Sequence, residues 1–421
     1  MNNVKYLIIG AGVTGLTFAN YLASDDYLII EKEKEAGGYC RSIYKDGFIW
    51  DYSGHFYHFN NELLKERFIS DIGEKNLIIK EKNTKILYNN ILVDYPFQSN
   101  IHQLNKNEFI DCLYDIYHRD KKKHYNSFEE MLYGKYGKSI TEKFLKPYNE
   151  KLYACSLKEL DQNAMGRFFP DTDIKDIIEN MKYKNDLSYN KQFYYPKYGS
   201  MIFIKSLLKR IDINNIIYNE EVVKINIENK TVITNKGNIY KYHKLINTGP
   251  LKMFLTMLDK KESKDNILSY NNVLVYNLGF NTEPKDNNLH WLYIPSKKIL
   301  FYRVGFYNNI QNLDKLSVYV EIASKKEERI NAEDKLNDVL RELREIGVID
   351  SANLASYSII QMSPAYVHVS TRSNAYVKRI KNILHKNDIF SIGRYGSWRY
   401  CSIEDSMIEA INAASEININ L

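Results

Sequence analysis

The chain has 421 residues, 44% of them hydrophobic, with 58 basic against 52 acidic side chains and a formal charge of +6. At roughly 100–200 residues per domain, that is enough for two or three packed cores. No run of about 18 apolar residues offers a membrane span, no signal-peptide pattern opens the chain, and the mild positive excess suits anionic small molecules without requiring nucleic acid. A cytoplasmic protein is expected. Cys40, Cys112, Cys155 and Cys401 stand far apart and the histidines are scattered, so neither a metal site nor a disulfide framework is expected. The basic run 119–124 reads as a solvated loop.

Residues 4–9 read as a buried strand, 14–24 as a helix with apolar Leu16, Ala19, Tyr21, Leu22 and Ala23, and 27–31 as a second buried strand. This is a βαβ unit with a parallel pair. Between the first strand and the helix lies Gly10-Ala11-Gly12-Val13-Thr14-Gly15, a GxGxxG sequence in the context its chemistry needs. Gly10 allows the tight turn, Gly12 lets a pyrophosphate approach the backbone, and Gly15 lets helix and strand pack closely. Glu31 ends the second strand, where a carboxylate accepts ribose hydroxyls. The competing reading is a glycine-rich turn without a ligand.

Further along, 100–190 is predicted to be mostly helical and 213–248 to switch to strands. Strands are expected at Asn272–Phe280, His290–Ile294, Ile299–Phe306 and Ser317–Ala323, with helices at 331–346 and 403–417. In Leu300-Phe301-Tyr302-Arg303-Val304-Gly305-Phe306 an aromatic strand carries one arginine, and a buried guanidinium there needs an anion. A phosphate and an ion pair with Glu321 are equally open on the residues alone.

Gly37-Gly38-Tyr39-Cys40-Arg41-Ser42 resembles the second glycine motif of the flavin amine oxidase and protoporphyrinogen oxidase superfamily, whose loop wraps FAD and whose arginine reaches the phosphates. The stretch 220–248 resembles the segment of that superfamily in which a valine, here Val223, contacts adenine. Gly393-Arg394-Tyr395-Gly396, ahead of a closing helix, follows the same order, with the helix pointing its positive end at the isoalloxazine.

Three more stretches narrow the resemblance: Asp51-Tyr52-Ser53-Gly54-His55-Phe56, Tyr95-Pro96-Phe97-Gln98-Ser99-Asn100 and Gly393 to Tyr400. With Pro147 to Tyr153, Tyr195 to Gly199, Trp291 to Pro295 and Phe301-Tyr302-Arg303 in the same order, the chain resembles the UDP-galactopyranose mutase family, closer to its eukaryotic branch. The resemblance implies an α/β fold: a Rossmann-like FAD-binding domain, a helical substrate domain and an antiparallel β-sheet domain. The expected boundaries are 1–95 with 190–260 and 380–421 for a discontinuous FAD-binding domain, 96–189 for the helical domain, and 261–379 for the sheet domain.

The activity implied is an isomerisation without net redox. Reduced FAD attacks the anomeric carbon through N5, UDP leaves, and the sugar recloses as a furanose for surface glycans. NAD(P)H is a candidate external reductant, and a homo-oligomer is compatible with the sequence. The resemblance carries Arg303 and Arg167 to the diphosphate, and Gly54 and His55 to the segment beside flavin N5. Tyr293, Tyr366 and Tyr400 would donate hydroxyls to the diphosphate. Tyr95, Phe97, Gln98, Asn149 and Tyr153 match the uridine pocket, and Trp291 the sugar site. Gly10, Gly12, Gly15, Glu31, Gly38, Arg41, Val223, Arg394 and Asp405 are expected at the cofactor. For the tyrosines and Trp291 core packing is the competing reading, for His55 a satisfied core histidine, and for Arg167 an ordinary exposed arginine. After Tyr400 the chain lacks an asparagine that contacts the sugar in eukaryotic relatives. UDP-N-acetylgalactosamine, a 6-deoxyhexose or a pentose nucleotide is therefore an alternative substrate. A flavin-dependent oxidase and a scaffold without turnover are readings of other classes.

Overall fold

The computed structural model of the chain describes residues 2–183, 191–259, 267–285, 288–328 and 330–419. The expected domain boundaries at 189/190 and 260/261, and the ends Met1 and Leu421, lie outside the described residues. In the first half the strands are β1 (Asn2–Ile9), β2 (Tyr27–Ile30), β3 (Ser42–Lys45), β4 (Phe48–Asp51), β5 (Leu77–Glu81), β6 (Thr84–Tyr88), β7 (Ile91–Asp94) and β8 (Gln192–Pro196). They continue as β9 (Ile216–Ile217), β10 (Val222–Asn226), β11 (Thr231–Thr234), β12 (Ile239–Asn247) and β13 (Asn271–Phe280). The last are β14 (Trp291–Tyr293), β15 (Arg303–Phe306), β16 (Ser317–Lys325), β17 (Leu354–Met362) and β18 (Ile389–Ser391).

Two seven-stranded sheets organise the molecule. The first runs β10-β11-β12-β1-β2-β9, with β18 beside β12. Its centre is parallel: β1 pairs with β2 and β12, and β12 with β18. The helix Val13–Tyr21 crosses from β1 to β2 and packs on the C-terminal helix Ile403–Ile419. Strand material from both ends of the chain therefore closes one sheet. The βαβ unit expected at 4–31 is present, and Leu7 and Ile8 are fully buried because a parallel strand is covered on both faces.

The second sheet runs β17-β13-β16-β15-β14-β6-β7 and is antiparallel except where β14 meets β6. Strands β6 and β7, assigned by the expected boundaries to the dinucleotide-binding part, form its edge. All of β13 is buried, because the sheet is covered on both sides. Leu274, Tyr276 and Leu278 face a core completed by Val339 and Leu343 of the helix Ala332–Glu345. Val273 and Val275 face an aromatic core of Phe48, Trp50, Phe193, Trp291 and Tyr319.

Between the sheets, helices Lys106–Tyr117, Phe128–Ile140, Lys146–Tyr153 and Ile174–Tyr183 fill the region expected to be helical. The strands β3 to β7, the pair β5–β8, β17 and the helix Thr371–His385 add to the expected elements. The β3–β4 hairpin closes on Asp46 (φ 50°) and Gly47 (φ 81°), the positive-φ pair that a two-residue hairpin favours. Among the described residues no helix is long and apolar enough to cross a membrane.

Candidate functional site

The turn after β1 leaves its backbone open. Gly10 has φ 98°, and a side chain on Gly15 would run into the Gly10 carbonyl, so helix and strand approach as closely as backbone allows. At Gly12, the N-cap of the helix Val13–Tyr21, a Cβ would meet nothing within 4 Å, and the first turn carries no acidic residue. The open amide end of the helix thus faces free space with its positive partial charge. Glu31 is buried and accepts from the amides of Ala11 (2.7 Å) and Glu33 (2.9 Å), which fixes its carboxylate beside the turn.

The second glycine loop folds back on the first: a Cβ on Gly38 would lie 3.5 Å from the Gly12 Cα. Arg41 donates from Nε to the Gly38 carbonyl (2.8 Å), approaches Glu33 at 3.4 Å, and lies 4.5 Å over the Tyr52 ring. In this arrangement its charge is spent on its own loop. Val223 sits where the β10–β11 register shifts, with its side chain 46% exposed while Val222 is buried.

The charged centre lies on the inner face of the second sheet. Arg303 opens β15 opposite Glu321 of β16, and the two make a fork: Nε to Oε2 and Nη2 to Oε1, both 2.8 Å. The ion-pair alternative for Arg303 is thus realised. Burial alone would raise the Glu321 carboxyl, but Arg303 and the Ser53 hydroxyl hold it below the usual carboxylate range. Across the next pairing Arg303 stands opposite Tyr293.

Tyr366 and Tyr400 stack at 6.0 Å, and Arg394 lies 5.5 and 5.0 Å over those rings. Arg303 and Arg394 act electrostatically on the same three groups, His55, Tyr366 and Tyr400. Arg394 donates to the Cys401 carbonyl (2.7 Å), and no carboxylate pairs with it among the described residues. The cluster therefore carries two guanidiniums against one carboxylate and is net cationic, with phenols around it. Burial pushes Tyr400 up to about 12, despite both arginines, so these hydroxyls are donors at neutral pH.

The Gly54–His55 segment reaches this centre through Ser53, whose hydroxyl donates to Glu321. A side chain on Gly54 would collide with the Tyr319 hydroxyl. That hydroxyl in turn accepts from Trp291 Nε1 at 2.6 Å. His55 is pulled down to about 4, first by burial and then by the two arginines, so its ring is neutral at pH 7. Its Nδ1 is 3.0 Å from the Ser53 carbonyl, which satisfies one ring nitrogen. Trp291 packs edge-on against Phe56 at 4.6 Å.

The residues expected around uridine divide. Tyr95 meets Tyr293 edge-on at 5.3 Å and so borders the charged centre. Gln98 is buried and donates to the Pro170 carbonyl (2.7 Å), while its Oε1 has no partner among the described residues. Tyr153 is buried beside Tyr366 (6.0 Å), and its hydroxyl also lacks a partner. Asn149 donates back to Leu145 within its helix (2.7 Å). Phe97 is fully buried between Tyr88 and Phe144, where core packing accounts for it. Arg167 lies apart from the Arg303–Arg394 pair: it is 41% exposed and bonds Asp405 at 2.6 Å and Glu404 at 3.5 Å. Asp405 is occupied by that arginine and by Ser402. Phe168, next to Arg167, touches Tyr400 edge-on at 5.3 Å, so this short turn borders the pocket.

Tyr319 belongs to the site without having been singled out from the sequence, and Ser53 and Phe56 were quoted only as members of the Asp51–Phe56 stretch, with no role given to them. Glu404, whose Oε1 accepts from the amides of Asn60 and Asn61 (2.7 Å each), carried no sequence signal.

Comparison with known proteins agrees with this geometry. A model of NAD(P)-binding Rossmann-like domains matches residues 8–70. A UDP-galactopyranose mutase of Mycoplasma genitalium is 26% identical over 210 residues, 42% of this chain and 49% of the relative. The match thus spans about half the length of that protein. A crystal structure of reduced UDP-galactopyranose mutase superposes with a TM-score of 0.92 over 99% of this chain and 96% of the other, at 23% identity. A putrescine oxidase with bound putrescine gives 0.71 at 13% identity, and a fatty acid isomerase from P. acnes 0.70 at 12%, covering 99% and 98% of this chain and 99% and 98% of theirs. The resemblance to UDP-galactopyranose mutase is borne out, and the fold is the α/β fold expected.

Proposed function

We propose that the chain is an FAD-dependent mutase that interconverts the pyranose and furanose forms of a UDP-hexose, with UDP-galactose the leading substrate. The observation that carries this reading is a cluster of two guanidiniums, Arg303 beside Tyr302 and Arg394 over Tyr366 and Tyr400, against the one carboxylate of Glu321, a net positive charge that a diphosphate would neutralise. The turn at Gly10, Gly12 and Gly15 with Glu31 fits a dinucleotide, since Gly12 leaves room for a pyrophosphate and Glu31 is held in place for a ribose. Gly38 closes over that turn, and the family resemblance would assign Val223 to the cofactor's adenine and Arg394 to its flavin end. Reduced FAD, when bound, supplies the nucleophile for the anomeric carbon.

The chain's own residues do the rest. Arg303, held in one orientation by Glu321, and Arg394 stabilise the charge that collects on the diphosphate as the glycosidic oxygen leaves. Tyr293, Tyr366 and Tyr400 stay protonated and donate to the same oxygens. Gln98 Oε1 and the Tyr153 hydroxyl are unsatisfied buried atoms and suit a uracil edge that supplies donors and acceptors. Gly54 permits the close approach of backbone to Tyr319, and neutral His55 keeps additional charge away from the reacting sugar. Trp291 presents its ring with Nε1 already engaged, so it offers the sugar a face and no donor. Arg167 borders the pocket from its short turn and reaches a substrate only by leaving Asp405.

The test is product analysis with dithionite-reduced protein and a panel of nucleotide sugars: UDP-galactofuranose, UDP-N-acetylgalactosamine, a 6-deoxyhexose and a pentose nucleotide. Ring-size conversion that requires reduction supports the reading, and the preferred member names the sugar. Oxygen consumption with an amine and no conversion would replace it with an oxidase.

A further inference from the structure

The turn that joins β14 to β15 carries Tyr293 at one end and Arg303 at the other, and a single ammonium holds it. Lys151 Nζ donates to the carbonyls of Ile294 (3.1 Å), Ser296 (2.9 Å), Ile299 (2.9 Å) and Phe301 (2.6 Å). An ammonium has three N–H donors, so four acceptors saturate it with one proton shared. No side chain of the turn takes part, so the turn is gripped by its backbone alone. Lys151 belongs to the helix Lys146–Tyr153, between Asn149 and Tyr153. From the same helix Tyr148 stacks on Tyr293 at 5.1 Å and meets Tyr302 edge-on at 6.2 Å. At the outer rim Lys297 pairs with Glu150 (2.8 Å), and at the far side Leu300 donates to Glu342 (2.7 Å).

We propose that Lys151 is a positioning residue that locks the 294–301 turn, and with it Tyr293 and Arg303, at a fixed distance from the helix bearing Asn149 and Tyr153, so that one nucleoside diphosphate spans both. The inference rests on the nucleotide-sugar reading above and deepens it: nucleoside and diphosphate are contacted by different elements, and this ammonium sets their spacing. A rim pair such as Lys297–Glu150 is exposed to water and contributes little to that spacing. The four bonds of Lys151, 2.6 to 3.1 Å long, are partly shielded from water and directed at four separate residues, while burial pulls its ammonium down to about 7.

The experiment compares Lys151→Met and Lys151→Gln with the unaltered protein, all loaded with FAD. UDP affinity is read by calorimetry, and amide exchange is followed across 292–303. The Met variant is expected to bind UDP roughly tenfold more weakly, as loss of the donors to several acceptors would produce. Its exchange should be faster in 292–303 while FAD content and exchange in β1 and β2 stay unchanged. A lysine that only stabilised the fold would lower the melting temperature and leave affinity per folded molecule intact. The Gln variant keeps two N–H donors and is expected between the other two; it supplies the answer if the Met variant does not fold. Unchanged affinity together with unchanged loop exchange in the folded variant overturns the proposal. An unaltered protein that binds no UDP overturns the nucleotide reading instead. Exchange alone then decides the clamp, with acceleration in 292–303 supporting it and none refuting it.

Discussion

Ser53 donates its hydroxyl to Glu321, the same carboxylate that grips Arg303 at both 2.8 Å contacts, although the two residues are 268 positions apart. The Ser53–His55 loop and Arg303 therefore share one anion. Movement of either is felt by the other through that carboxylate.

Glu321→Gln is expected to destabilise the fold by about 3–5 kcal/mol, the cost of leaving a buried guanidinium without its counter-charge. Urea denaturation at pH 7 measures it. Because the Glu321 carboxyl is held low in the fold, its contribution is present above the ordinary carboxylate value and is lost as pH falls through the lowered one. The Gln variant should lack that acid-side loss, and an identical acid limb in both proteins would contradict the assignment.

Arg303→Ala and Arg394→Ala should each cost on the order of 3 kcal/mol in kcat/KM for the furanose substrate, as loss of one oxyanion donor does. Arg167→Ala should cost less, since a partly exposed arginine engaged with Asp405 contributes mainly to capture. Steady-state kinetics of the reduced protein decide this ordering, and a larger loss at Arg167 would shift the diphosphate site toward the Phe168–Tyr400 side.

Two glycines separate cofactor contact from folding. Gly15→Ala drives a methyl into the Gly10 carbonyl and should destabilise the apoprotein by about 1–3 kcal/mol. Gly12→Ala meets no protein atom within 4 Å and should fold normally while losing bound FAD. Melting temperature and the visible flavin spectrum read the two effects; retention of flavin by Gly12→Ala would refute the pyrophosphate position.

Burial draws His55, His58 and His290 down to about 4 from an ordinary value of 6.5. Each contributes stability that is complete above 6.5 and disappears as pH falls through about 4, because the unfolded chain takes up the proton first. Stability should therefore decline from neutral pH toward 4, and His55→Gln should flatten the slope. An NMR titration that put the His55 ring near 6.5 would sink this account.

The dinucleotide turn was readable because its chemistry is local: Gly10, Gly12, Gly15 and Glu31 lie within one βαβ unit. Arg303 was readable as a buried charge, while Glu321 stayed one of two open partners beside a phosphate until the structure paired them. What the residue pattern could not convey was convergence. Arg394 was read as a cofactor residue, and the sequence did not show that the fold turns it over the rings of Tyr366 and Tyr400. The motif around Ser53 did not show that its hydroxyl reaches Glu321, 268 positions away. Lys151 was invisible because its partners are carbonyls, which every residue has. Leu77 pairs with Pro196, and neither segment shows an alternation that would announce the match.

Strand β18 enters the first sheet beside β12, and the helix Ile403–Ile419 covers the helix that follows β1. Until residues 389–419 have been made, the βαβ unit lacks the strand that flanks β12 and one of the helices that cover Val13–Tyr21. Such long-separated contacts slow folding and prolong exposure of sticky surface. Production should accordingly depend on chaperone supply and on low temperature, and truncation by even the final helix should yield aggregate in place of a smaller flavin-binding fragment.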